Sequence, residues 1–196
     1  LDASRKSHRT FRNGQGAAAK AELRKTLAGI RNNIDPDHKA QWDARICSRV
    51  LDWCTAGGVD GPLGVYWPLR GEAELGPAYA ALAQRGVALA LPVVVARDAP
   101  LGFAEWVPGE PMVTGALGVA VPAQLRMVER PAALLVPCLG FNAQGYRLGY
   151  GGGFYDRTLA APPRPVTAGV AYACLESRFG HDAHDIALDV ILTEKQ

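Results

Sequence analysis

What this chain of 196 residues has little of narrows its chemistry before any motif is read. Its four cysteines, Cys47, Cys54, Cys138 and Cys174, form no CxxC pair. That excludes a disulfide-stapled scaffold and a dithiol redox motif, and it suits free thiols in a reducing cytoplasm. No apolar run approaches the roughly 20 residues that a membrane-spanning helix needs, and no secretory signal is visible. Aromatic residues make up 8% of the chain and are not interleaved with basic ones, so no groove for single-stranded nucleic acid is expected. Neither charge sign dominates, with 21 Lys and Arg against 19 Asp and Glu. The basic excess sits at one end, among Arg5, Lys6, Arg9, Arg12, Lys20, Arg24 and Lys25, which argues against a broad nucleic-acid surface. The Gly-Lys-Ser/Thr of a phosphate-binding P-loop and the GxGxxG of a dinucleotide fold are also missing.

The length suits one domain with a sizeable core. We expect a disordered basic tail over residues 1–16 and an α/β domain over residues 17–196. A mitochondrial transit segment is the other reading of the tail, but it holds too few apolar residues for an amphipathic helix. Residues 17–31 read as a helix with Leu23, Leu27 and Ile30 as its apolar stripe. A second helix starts at Asp35-Pro36, buries Trp42, Ile46, Val50 and Trp53, and stops at Gly57-Gly58. Beyond it, short apolar runs alternate with helical stretches. Strands are expected near 63–67, 87–95, 101–107, 132–136, 166–172 and 188–192, with helices near 76–85 and up to Leu159. This alternation predicts a single three-layer α/β/α domain around a mostly parallel sheet, with ligands at the carboxyl ends of the strands.

One such end carries what the chain has in abundance. Residues 145–157 read Gly-Tyr-Arg-Leu-Gly-Tyr-Gly-Gly-Gly-Phe-Tyr-Asp-Arg, directly after the apolar run Ala132–Pro137. Clustered glycines let a backbone approach a ligand closely and turn its N–H groups on phosphate oxygens. Arg147 and Arg157 suit an anion, and Asp156 suits a metal ion; a plain surface turn is the other reading. Lys20 and Arg24, four residues apart, are either a solvated helix face or a polyphosphate clamp. His181-Asp-Ala-His-Asp185 could be read as a zinc cluster, but no third separated ligand is evident and a surface loop fits better. One of its carboxylates could still serve Mg²⁺, which takes few protein ligands. Glu72 and Glu74 follow Tyr66-Trp67-Pro68, where an aromatic beside carboxylates could hold a flat polar heterocycle or simply cap a turn.

Together these segments resemble the 5-formyltetrahydrofolate cyclo-ligase family. The resemblance is strongest over Val136–Arg157 and its Gly-Tyr-Arg-Leu-Gly-Tyr-Gly-Gly-Gly-Phe-Tyr-Asp-Arg run, where Phe154 stands at a position that is commonly tyrosine. It extends in order through Lys20-Ala-Glu-Leu-Arg24, Tyr66–Leu75, Phe103–Trp106, Gly169–Tyr172 and His184–Glu194, and covers about residues 17–194. It implies conversion of 5-formyltetrahydrofolate and Mg-ATP to 5,10-methenyltetrahydrofolate, ADP and phosphate. It also implies ATP and a reduced folate as partners, a monomer, and no nucleic acid or membrane. By resemblance, Lys20, Arg24 and residues Arg147, Leu148, Gly149, Tyr150, Gly151, Gly152, Gly153, Phe154 and Tyr155 bind ATP. Trp67, Glu72, Tyr150, Gly151, Gly152, Gly153 and Phe154 meet the folate, Arg147 and Tyr155 are catalytic, and Asp156 and Asp185 hold Mg²⁺. No protein nucleophile is required.

Two positions depart from the family pattern. Val121 stands where an acid is frequent, and Leu175 where glutamine is frequent. They leave open a regulatory relative that binds nucleotide without turning over folate. A sugar-phosphate enzyme on a similar scaffold rests on fold analogy alone.

Overall fold

The computed structural model describes the backbone of residues 3–57, 59 and 61–195, and the side chains from residue 16 onward within those limits. The tail expected over residues 1–16 lies, but for Gly16, outside the residues whose side chains are described. The elements in chain order are α1 (Ala3–Asn32), α2 (Pro36–Ala56), β1 (Leu63–Gly64), α3 (Gly76–Gln84), β2 (Leu89–Val93), β3 (Gly102–Trp106), β4 (Met112–Thr114), β5 (Ala120–Pro122) and β6 (Met127–Val128). They continue with β7 (Ala133–Pro137), β8 (Gly140–Phe141), β9 (Arg147–Leu148), α4 (Phe154–Ala160), β10 (Val166–Val170) and β11 (Val190–Leu192).

Local chemistry sets the helix ends. The Asp35 carboxylate accepts from the N–H groups of Asp37 and His38, and Pro36 begins the helix where no N–H partner is needed. Along α1 the inward face differs from the expected stripe. Leu27 is buried, but Ile30 is 43% exposed and its neighbour Arg31 is only 6% exposed. Arg31 turns inward because its guanidinium has partners there, described below; an aliphatic side chain at the rim has none.

The main sheet runs β11-β10-β7-β1-β2-β3-β6. β11, β10, β7, β1 and β2 are parallel, and β3 and β6 add an antiparallel edge. β1 is flanked closely enough that a Cβ on Gly64 would lie 2.2 Å from Leu134 Cδ2, so the central crossing requires glycine. Alternate residues of β7 divide between two cores. Ala133 and Leu135 join Leu27, Ile46, Val50, Ala78 and Leu82 beneath α1, α2 and α3. Leu134 and Val136 join Phe103, Leu159 and Ile191 on the side of α4. Both sheet faces are therefore covered, which is why β7 reads as one unbroken apolar run. The result is the three-layer α/β/α arrangement, with two small hairpins, β4–β5 and β8–β9, added to it.

Candidate functional site

The predicted site residues gather at the carboxyl ends of the parallel strands. Tyr66 to Glu72 follow β1, the glycine segment follows β7 through the β8–β9 hairpin, and Tyr172 follows β10. Asn142 shapes the hairpin by accepting from the N–H groups of Gln144 and Tyr146 and donating to the Phe179 carbonyl. Gly145 has φ +80, and a Cβ there would lie 2.9 Å from the Leu188 carbonyl oxygen. Leu188 N–H in turn donates to the Gly145 carbonyl at 2.9 Å. That exchange ties the hairpin to the segment before β11. Gly153, with φ +66, then takes the turn into α4.

Three contact groups result. In the first, Tyr150 Oη donates to Glu72 Oε1 at 2.5 Å, and Arg31 Nη1 donates to Tyr150 Oη at 2.8 Å. Glu72 Oε2 accepts from Leu69 N–H at 2.8 Å. In the second, Arg24 Nε donates to the Gly149 carbonyl at 2.8 Å. Its guanidinium lies beside Gly151, where a Cβ would come within 3.6 Å of Arg24 Cζ. In the third, Arg147 Nη2 pairs with Asp156 Oδ1 at 2.8 Å, and the same oxygen accepts from Ile186 N–H at 3.1 Å. The Arg147 guanidinium also lies 5.7 Å from the Tyr155 ring centre.

Lys20 and Asp185 are brought together with each other. Lys20 Nζ lies 2.7 Å from Asp182 Oδ2 and 2.8 Å from Asp185 Oδ2. Trp67 packs edge-on against Trp106 at 6.0 Å between ring centres. Arg157 donates to the carbonyls of Gly152, Ala99 and Arg97 and lies over the Phe154 ring, so it braces the glycine segment. His181 stacks on Tyr146 at 4.0 Å instead of facing a metal.

Burial sets the electrostatics. It pushes the Glu72 carboxyl above its ordinary value, against the pull of the Tyr150 hydroxyl, the Leu69 N–H and Arg31. Burial and then Glu72 push the Tyr150 phenol well up, so it keeps its proton. Cys138 is pushed up to about 12 by burial, which leaves it an inert thiol behind the site. For Asp185, burial acts upward, but the Asp182 N–H and the Lys20 ammonium outweigh it and hold the carboxyl below its ordinary value.

A small cavity of about 10 Å³ lies behind the first group, lined by Arg31, Tyr66, Glu72, Cys138, Tyr172 and Leu175 among others. It has room for about one water molecule. Of the two departures from the family pattern, Leu175 lines this cavity and Val121 is buried in β5. Oxygen donors for a hard cation are present: Asp182 and Asp185 lie with His184 in one cluster, and Asp156 lies beyond Ile186, the residue next to Asp185. Carboxylate oxygens in small number suit Mg²⁺ completed by phosphate oxygens and water.

Arg31 is not among the site residues expected from the sequence, and Asp182 is expected only as one of the two carboxylates of the His181–Asp185 run. A signal for Arg31 exists: it lies seven residues after Arg24 and eleven after Lys20, on the same face of α1.

Known proteins match this chain in sequence and in fold. The family model described as the 5-formyltetrahydrofolate cyclo-ligase family matches residues 16–194. The 5-formyltetrahydrofolate cyclo-ligase of Escherichia coli K12 is 31% identical over 137 residues, 66% of this chain and 75% of that protein. The protein of that name from Mycoplasma pneumoniae is 40% identical over 62 residues, 31% of this chain and 38% of that protein, so the match spans under half its length. The solution structure of Aquifex aeolicus 5,10-methenyltetrahydrofolate synthetase superposes with a TM-score of 0.77 at 29% identity, covering 90% of each chain.

Proposed function

The chain belongs to the 5-formyltetrahydrofolate cyclo-ligase family, and on that premise we propose that it converts 5-formyltetrahydrofolate and ATP to 5,10-methenyltetrahydrofolate, ADP and phosphate. The observation that carries this reading is the hydrogen bond between Tyr150 and Glu72. It joins the glycine segment, suited to phosphate, to a buried carboxylate suited to the paired N–H donors of a pterin edge. A two-substrate reaction needs these halves side by side.

The chemistry follows from the poor leaving ability of an amide oxygen. The formyl oxygen takes the γ-phosphoryl group, and the bond from that phosphorus to ADP breaks. The formyl carbon becomes an electrophilic iminium carbon. N10 bonds to it and loses its proton, the carbon–oxygen bond breaks, and phosphate departs. The protein's part is to position and to neutralise charge. Lys20 and Arg24 hold ATP phosphates, and the backbone of Leu148, Gly149, Gly151, Gly152 and Gly153 lines them with Phe154. Arg147 stabilises charge on the transferred group, and Tyr155, kept protonated by burial, donates to it. Trp67, Glu72 and Tyr150 hold the folate. Asp156 and Asp185 would hold Mg²⁺, which supplies charge neutralisation to the phosphates.

We read the protein as a cytoplasmic monomer, since one copy supplies every group named and its four cysteines are free. No helix among the described residues is long and apolar enough to cross a membrane. Leu175 beside Glu72 favours a second reading, a regulatory relative that binds nucleotide without folate turnover. Thermal shift separates the two. The cyclo-ligase reading expects stabilisation by Mg-ATP and, independently, by 5-formyltetrahydrofolate, the latter lost in Glu72→Gln. A shift with Mg-ATP alone supports the regulatory reading.

A further inference from the structure

Arg31 has no part in the reaction as derived above, yet it occupies the centre of the folate half. It is 6% exposed, and Glu72 is 5% exposed. Burying a guanidinium and a carboxylate together stabilises little and costs much in desolvation. Such a pair in a ligand site therefore calls for a role beyond folding.

The protons of this cluster can be assigned. A guanidinium has donors and no acceptor. At 2.8 Å from Arg31 Nη1, the Tyr150 oxygen must accept. Its one proton is thereby directed to Glu72 Oε1, 2.5 Å away, and Arg31 Nη1 itself stands 3.6 Å from that carboxylate oxygen. Arg31 Nη2 donates to the Arg70 carbonyl at 3.2 Å, which fixes the turn that carries Glu72. Tyr150 is 51% exposed and is the member of the cluster that can meet a ligand from solvent; Arg31 lies beneath as the counter-charge.

We propose that Arg31 is a positioning residue for the folate: it orients the Tyr150 hydroxyl and keeps the Glu72 carboxylate ionised for a ligand that presents paired N–H donors. This rests on the cyclo-ligase reading. Of the other groups, the Tyr150 hydroxyl pulls most toward ionisation, in the orientation that Arg31 imposes, and among the described residues Arg31 is the one cation acting on Glu72. Glu74 on the same turn repels it, and Leu69 offers a neutral N–H. Tyr66, Tyr79 and Tyr155 from the surrounding elements, with Cys138, are held in their neutral forms by burial.

The test measures kcat and both KM values from about pH 6 to 9 for the wild type, Arg31→Met, Arg31→Lys and Tyr150→Phe. Arg31→Met raises the folate KM on the order of tenfold or more while the ATP KM stays within about twofold. Its folate KM then improves as pH rises, because a carboxyl without its cation ionises only at higher pH. Arg31→Lys restores a flat pH profile without the full affinity, whereas Tyr150→Phe, which removes the hydroxyl that Arg31 orients, shifts the profile in the same direction as Arg31→Met. Equal rises in both KM values with no pH dependence overturn the inference while leaving the cyclo-ligase reading intact. No wild-type turnover overturns that reading and this inference with it. If Arg31→Met fails to fold, Arg31→Lys decides: an unchanged folate KM overturns the proposal.

Discussion

The Lys20 ammonium and the Asp185 carboxylate lie 2.8 Å apart although 165 residues separate them in the chain. A cation proposed for phosphate and an anion proposed for metal thus pair with each other. On the proposed reading, ATP exchanges that partner for phosphate oxygens. Lys20→Ala is expected to raise the ATP KM on the order of tenfold or more, the scale of a lost charge-assisted contact, with the folate KM little changed. Steady-state kinetics with each substrate varied in turn measures this.

Asp156→Ala removes the charged partner of Arg147, whose side chain is 5% exposed, and leaves it only the Ile186 carbonyl as a hydrogen-bond acceptor. Stranding a buried guanidinium costs about 3 kcal/mol or more, a melting-temperature drop of about 6–12 °C. Magnesium-dependent turnover should vanish as well. In the wild type, a chelator should abolish turnover while leaving the melting temperature without ATP unchanged. Calorimetry together with activity assays checks both.

Gly145→Ala places a Cβ where φ is +80 and the Leu188 carbonyl oxygen is 2.9 Å away. The strain is about 2 kcal/mol, which lowers the melting temperature by about 4–8 °C. Gly16→Ala, at a site with open space inside α1, serves as the contrast and should not lower the melting temperature, because alanine is the better helix former.

Arg126 bridges Glu105 of β3 and Glu110, with Nη2 2.9 Å from Glu110 Oε2. Burial acts upward on Glu110, but the Val107 N–H and Arg126 prevail and lower its pKa. A depressed carboxyl contributes stability above its unfolded value and loses it as pH falls through the folded value. The melting-temperature gap between wild type and Glu110→Gln should therefore be constant above about pH 6 and close below the ordinary carboxylate range near pH 4.

The parts of the fold that were legible in the sequence are those that periodicity controls. The run Ala132–Pro137 must be a strand buried on both faces, and Asp35-Pro36 carries a helix start in its own chemistry. The hairpins β4–β5 and β8–β9 have strands of two or three residues, too short for an alternating pattern to register. The glycine segment was legible because φ values of +95 at Gly151 and +66 at Gly153 select glycine directly. Arg31 was hidden because burial of an arginine depends on Tyr150, Glu72 and Arg70, none of which is near it in sequence. The pairing of Lys20 with Asp182 and Asp185 was hidden for the same reason: one helix and one distant loop supply the partners.

The central claim is that the site joins phosphoryl transfer from ATP to closure of the folate ring. Its most direct measurement follows the near-ultraviolet absorbance of the methenyl product while ADP is quantified in the same reaction of protein, 5-formyltetrahydrofolate, ATP and Mg²⁺. The account predicts that product and ADP appear in equal amounts, and that both disappear in Glu72→Gln while Mg-ATP still stabilises that variant. Folded protein that binds Mg-ATP yet forms no methenyl product would contradict it.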